Sequence, residues 1–166
     1  MIENLKKQFP LITADEINSA HLKEVYDVYY VSIFEHSLTH EAANEILSPM
    51  VIADIQTQIT KYYLKHLDFI QILLSNCQCF LVTVDGFSKE GEELISMRLI
   101  EDFLSEKEII ERLLLKENNL KFVVPSLNLI FVDGFDFSFN LYMIKNSKSK
   151  YSTVLKYINQ SNLHFL

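Results

Sequence analysis

The sequence predicts an α+β domain in which a helical layer packs on a small antiparallel sheet. As far as about residue 76, apolar residues recur at every third or fourth position, which is the spacing of an amphipathic helix. From Cys77 onward the chain carries short runs of aromatic and β-branched residues separated by polar segments, a pattern typical of strands. Helices followed by a run of strands indicate the α+β class. The length of 166 residues fits a single domain that spans residues 1–166.

The N-terminal helical layer is expected over about residues 14–76. A capping box at residues 13–16 and the apolar spacing behind it predict a helix from about 14 to 35. The pair Ser48-Pro49 is a second start signal, because proline is tolerated at the first helical position. The apolar stripe behind this pair predicts a long helix that ends near Asn76. No strand is expected in this half of the chain.

The second half of the chain predicts five strands and two helices. The run ELISMRLI fits both a strand and a helix, and we prefer a strand because the SEKE that follows is a capping box for a new helix. The strands are expected near residues 77–84, 93–100, 121–124, 127–132 and 136–143. The helices are expected over residues 105–116, inserted between two strands, and over 149–160, at the C-terminal end.

The tetrapeptide VDGF ends an apolar run twice, at residues 84–87 and 132–135. Asp-Gly after such a run predicts a hairpin turn, because glycine adopts positive φ freely and aspartate tolerates it. We therefore interpret Asp85 and Asp133 as turn residues. A site built on both carboxylates would require the two strand ends to meet in space.

The second VDGF copy also predicts a strand register. A three-residue loop that pairs Val132 with Asp136 places the apolar residues of both strands on one face, whereas a two-residue loop mixes the faces. The apolar face is expected in the core against a helix and holds Leu127, Leu129, Phe131, Phe137, Phe139 and Leu141. The other face is expected toward solvent or a partner and holds Asn128, Asp136, Ser138 and Asn140.

The net charge of −7 argues against nucleic-acid binding, which requires a cationic surface. Four lysines lie close together near the C-terminal end and are interpreted as a solvated face: Lys145, Lys148, Lys150 and Lys156. No signal peptide or membrane-spanning run is recognised in the sequence. The spacing of Cys77 and Cys79 does not fit a metal or redox motif, so we expect two reduced thiols and a cytoplasmic protein.

Acidic residues concentrate between Asp85 and Glu111. This segment contains nine acidic and three basic residues and therefore carries −6 of the net charge of −7. Such a segment is often only a solvated face, but it also suits the attraction of a basic protein. The residues expected to bind the partner are Glu90, Glu92, Glu93, Glu101, Asp102, Glu106, Glu108 and Glu111. The sequence thus favours a small acidic protein-binding domain without enzymatic activity or cofactor, such as a bacterial immunity or antitoxin-type inhibitor of a basic toxin domain.

Two other functions remain open from the sequence. His36 and His40 are four residues apart, with Glu35 and Glu41 beside them, which would suit a metal-dependent or other small enzyme if one helix carried all four. The segment HEAAN, which starts at His40, begins like the zinc-protease motif but has Asn44 in place of the second histidine of that motif. The other possibility is a structural subunit that associates with copies of itself through a strand edge or the long helix.

Overall fold

The computed structural model of the protein describes residues 2–10, 20–36, 39, 41, 55–89, 93–102, 121–133 and 138–166. These residues form one seven-stranded sheet, in which all pairs are antiparallel, with helices against both faces, and the α+β class is confirmed. The helices are α1 (Ile2–Gln8), α2 (Ala20–Val25), α3 (Ile55–Asn76) and α4 (Lys148–Gln160). The strands are β1 (Tyr26–Ser32), β2 (Cys79–Phe87), β3 (Glu93–Ile100), β4 (Lys121–Val124), β5 (Leu129–Asp133), β6 (Ser138–Ile144) and β7 (His164–Phe165). Their order across the sheet is β3-β2-β4-β5-β6-β1-β7.

The predicted helix from 14 to 35 is wrong over Tyr26–Ser32, which is strand β1. The sequence YDVYYVS satisfies helical spacing by coincidence, but its aromatic and β-branched side chains fit a pleated strand better. Pairing with β6 along its whole length and with β7 at its end supplies the tertiary contacts that decide the outcome. Helix α1 and strand β7 are further elements that the sequence did not predict.

Most of the predicted elements in the second half are confirmed. Strand β3 matches the prediction over 93–100, and α4 begins one residue before the predicted 149–160. Strand β5 begins later than predicted, because Pro125–Leu127 forms a short 3₁₀ turn that ends at Asn128 in the left-handed conformation, with φ of 52°. The predicted inserted helix over 105–116 lies outside the described residues.

The first VDGF copy is not a hairpin turn. Strand β2 continues through it to Phe87, and its register with β3 shifts between Val84 and Gly86, which marks a β-bulge. Gly86 has φ of 154°, a value that residues with a side chain rarely adopt. The glycine is therefore required by a bulge inside a strand, and the turn prediction for Asp85 is wrong.

The second copy does end a strand, but the predicted register is shifted by four residues. Val132 pairs with Asn140 rather than with Asp136, and Asp133 pairs with Phe139. Because a shift of an even number preserves the faces, Leu129, Phe131, Phe139 and Leu141 still share one face, and all four are fully buried. Phe137 and Asp136 lie outside the described residues.

The sheet is buried on both faces, which corrects the expectation of one solvated face. One face packs against α3 and α4, and its core contains Phe139, whose ring makes tilted contacts with Phe69 and His66 of α3. The other face packs against Leu5 of α1, Phe9, which directly follows α1, and Leu22 of α2. Ser138, which was expected at the surface, is therefore buried beside β1, and Asn140 is half-buried.

Within the described residues, no helix is both long and apolar enough to span a membrane.

Candidate functional site: the charged rim of the sheet

Two of the eight predicted partner-binding acids lie together in the structure. Glu101 and Asp102 directly follow the last residue of β3, and both are exposed. Glu93 is the first residue of the same strand, so eight residues of extended chain, about 26 Å, separate it from Glu101. The other five acids, Glu90, Glu92, Glu106, Glu108 and Glu111, lie outside the described residues. The described part of the acidic surface is therefore the pair Glu101 and Asp102, which we call the acidic corner.

Three strands separate β3 from β6, and since every pair is antiparallel, these two strands point in the same direction. Their C-terminal ends consequently lie on the same rim of the sheet. The residues that lie level with one another near this rim are Ile100, Cys79, Val124, Leu129, Met143 and Asp27. The acidic corner follows Ile100 at one end of this row.

Lysines lie further along the same rim, at the fifth of the seven strands. Lys145 directly follows the last residue of β6, and Lys148 is the first residue of α4; both side chains are exposed. We call these two residues the basic corner, and the rim that carries both corners the charged rim. Four strand spacings separate β3 from β6, so the two corners are about 20 Å apart.

The backbone around the basic corner is firmly held. The amide of Lys145 donates to the carbonyl of Val25 at 3.0 Å, and the amide of Ile144 donates to the carbonyl of Asn128 at 2.9 Å. The Asn128 side chain also donates to the Ser147 hydroxyl at 2.9 Å, which fixes the start of α4. The two lysines thus extend from a hydrogen-bonded turn and not from a loose connection.

A cleft of about 460 Å³ lies beside the basic corner. Lys145 and Lys148 line it together with Asp27, Tyr29 and Tyr151, among others. The two tyrosine rings lie 5.1 Å apart, and burial, with smaller contributions from Asp27 and Tyr151, raises the pKa of Tyr29. The three charged side chains sum to +1, so this cleft is locally cationic in a protein of net charge −7. Sequence patterns did not reveal the cleft, because Tyr29 was assigned to a helix.

The histidine cluster expected from the sequence is not on one helix. Glu35 and His36 lie exposed in a bend that follows β1. Because His36 is not in a helix, it cannot share a helical face with His40 through i,i+4 spacing. Glu41 is exposed, and His40 lies outside the described residues. Among the residues with described positions, no group of three or more His, Cys, Asp or Glu side chains is arranged to hold a metal.

The two VDGF carboxylates do not form a paired site. Strand β4 lies between β2 and β5, so the backbones of Asp85 and Asp133 are at least two strand spacings apart, about 10 Å. Both lie toward the rim opposite the charged rim, because β2 and β5 run against β3. The requirement that the two strand ends meet is not fulfilled.

The cysteines do not form a reactive pair. Cys79 is buried, and burial, with a smaller contribution from Cys77, raises the pKa of its thiol to about 12. Its Sγ donates to the carbonyl of Cys77 at 3.7 Å. A thiol that stays protonated at neutral pH is a poor nucleophile, so Cys79 is a core residue.

Comparison with known proteins finds no protein-family model, no curated protein and no solved structure that matches the chain.

Proposed function

We propose that the protein is a small acidic protein-binding domain that docks a basic partner protein and neutralises it. The observation that carries this proposal is the position of the acidic corner, where Glu101 and Asp102 are exposed at the end of the terminal strand of the sheet. They belong to a segment that holds nearly all of the net negative charge. A small acidic domain of this kind fits the class of immunity and antitoxin-type inhibitors. The partner would then be a basic toxin domain in the cytoplasm.

The acidic corner directly follows a firmly paired strand, which favours specific docking over diffuse attraction. Strand β3 pairs with β2 along its whole length, and Thr83 and Ser96 form a cross-strand hydrogen bond of 2.7 Å between their hydroxyls. Because Glu101 and Asp102 lie within two residues of this strand, their backbone is anchored on one side, which lowers the entropy lost when they meet lysines or arginines of a partner. Charges at the edge of an interface act mainly on the association rate, through steering that weakens as salt increases.

The experiment uses the product of the gene adjacent to that of this chain as the candidate partner. Growth of cells that express this product is measured with and without the chain, and binding of the two purified proteins is measured by calorimetry and by stopped-flow kinetics at several salt concentrations. The variant Glu101→Lys/Asp102→Lys should bind at least about tenfold more weakly, with most of the loss in the association rate.

The matched control is Glu35→Lys/Glu41→Lys, which produces the same change in net charge at two exposed positions outside the acidic and basic corners. It should retain most of the affinity. Equal losses in both variants would mean that only net charge matters, and unchanged affinity in the Glu101→Lys/Asp102→Lys variant would contradict the assignment of the acidic corner as the interface.

A further inference from the structure

We infer that the charged rim is a docking surface for a second copy of this chain, with the acidic corner of each copy against the basic corner of the other. The two corners carry opposite charge, lie on one rim and are exposed, as the positions of Glu101, Asp102, Lys145 and Lys148 show. Complementary charge on one surface of the same molecule is what a self-complementary contact requires. This inference does not depend on the proposed function, although it uses the same carboxylates.

The geometry allows both charge pairs to form in one contact. A two-fold axis that lies just beyond the rim, midway between the corners and perpendicular both to the line that joins them and to the strands, brings each corner of one copy opposite the other corner of its partner. Each acidic corner then meets a basic corner, and the contact closes after two copies. A head-to-tail arrangement would satisfy only one pair in each contact and would continue into chains.

The cleft beside the basic corner gives the acidic side chains a place to enter. Its volume of about 460 Å³ exceeds the space that one or two carboxylate side chains need. Lys145 and Lys148 would face the incoming carboxylates, while Asp27 opposes them within the same cleft. On the other side, Arg98 is exposed on β3 near the acidic corner and partly offsets its charge. The local balance is still positive at the cleft and negative at the acidic corner.

The net charge of −7 works against this association, and salt decides which effect dominates. At physiological ionic strength the Debye length is about 8 Å, so whole-molecule repulsion is largely screened while direct corner-to-corner pairs are still felt. At much lower salt the repulsion between the two acidic molecules extends further. In about 1 M salt the pairs themselves are screened. Association should therefore be strongest at intermediate salt.

Self-association would also compete with a basic partner, because both need Glu101 and Asp102. Addition of the partner should convert dimers into monomers, and a high concentration of this protein should slow its binding to the partner. In the dimer, the acidic corner is already occupied.

The test is sedimentation of the purified chain alone over a wide concentration range at about 0.15 M salt. The acidic-corner variant is Glu101→Lys/Asp102→Lys, and the basic-corner variant is Lys145→Glu/Lys148→Glu. Each should associate at least about tenfold more weakly than the original chain, because like charges then meet. The Glu35→Lys/Glu41→Lys control should associate as the original chain does, after allowance for its less negative net charge.

Restoration provides the decisive comparison. An equimolar mixture of the two corner variants should form dimers, and so should a variant with all four substitutions, which keeps the original net charge but exchanges the corners. Circular dichroism and thermal unfolding establish that every variant is folded.

Three results would overturn the inference: a chain that stays monomeric at all concentrations and salts, corner variants that associate as before, or a variant with all four substitutions that fails to associate. Growth beyond a dimer would overturn the two-fold arrangement. Because the partner is absent from these measurements, none of these results bears on whether a basic partner binds at the acidic corner.

Discussion

The ring of His66 in α3 lies 4.1 Å from the ring of Phe139 in β6, measured between ring centroids. Phe139 also lies 5.2 Å from Phe131 and 6.0 Å from Phe69, measured between ring centroids, and all four residues are fully buried. The aromatic side chains of three elements therefore meet around one residue. This cluster joins the helical layer to the sheet that positions the charged rim.

Truncation of this central ring should be costly. We expect Phe139→Ala to lower the free energy of unfolding by about 3–5 kcal/mol, because it removes buried apolar area and leaves a cavity that its neighbours cannot fill. Urea unfolding measures the loss. The matched control, Ser126→Ala, is at an exposed position of the 3₁₀ turn and should change stability by less than about 0.5 kcal/mol. A loss below about 1 kcal/mol for Phe139→Ala would contradict its central place in the core.

Periodicity in the sequence was sufficient to place this core face. The alternation around residues 129–141 identified Leu129, Phe131, Phe139 and Leu141 as buried, and that part of the prediction is confirmed. The register could not be found in the same way, because a shift of four residues leaves the faces unchanged. The length of the connection between β5 and β6 decides the register, and the Asp-Gly signal suggested a loop that was too short.

Other parts of the fold depend on contacts that no local pattern contains. Tyr26–Ser32 is a strand because β6 and β7 are present to pair with it, although its spacing also fits a helix. The charged rim has the same origin. Glu101 and Lys145 are distant in sequence, and only the order of the strands places them on one rim. The sequence therefore identified both the acidic segment and the lysines, but not their position on a common rim.

The bulge at Gly86 should make this glycine hard to replace. Its φ of 154° is unfavourable for residues with a Cβ, while an added Cβ would meet no atom within 4 Å. We expect Gly86→Ala to lower the free energy of unfolding by about 1–3 kcal/mol through backbone strain alone. Gly86→Ser should cost about the same, because the space around the site is open. Urea unfolding would contradict this account if alanine were tolerated, or if the cost increased steeply with side-chain size.

The stability of the fold should fall at alkaline pH because of Cys79. Burial raises the pKa of this thiol from 9.0 to about 12, so the folded protein holds the proton more tightly than the unfolded chain does. Its contribution to stability is complete below about pH 9 and is lost progressively as pH rises toward 12. One such group gives a slope of at most about 1.4 kcal/mol per pH unit.

Urea unfolding between pH 8 and 10 measures this slope, and Cys79→Ala should reduce it while also lowering stability at every pH. In that range the comparison variant Tyr142→Phe should change the slope less, because the pKa of a tyrosine in the unfolded chain, 10.0, is one unit above that of the thiol, while burial raises the pKa of Tyr142 to about 12. An unchanged slope in Cys79→Ala would show that the buried thiol is not responsible.

The hydroxyl of Tyr142 should be a net cost to the fold at neutral pH. It is buried on the face that packs against α1 and α2, and it makes no hydrogen bond within the described residues. A buried hydroxyl without a hydrogen bond costs about 1–3 kcal/mol of desolvation, which its removal would recover. We therefore expect Tyr142→Phe to raise the free energy of unfolding by about 1 kcal/mol at pH 7, since the ring and its edge-on contact with Tyr26 are kept. The matched control, Tyr30→Phe, removes a hydroxyl from a side chain that is 53% exposed, and it should change stability by less than about 0.5 kcal/mol. A loss of stability in Tyr142→Phe would mean that the hydroxyl has a partner, such as a bound water, that compensates for its burial.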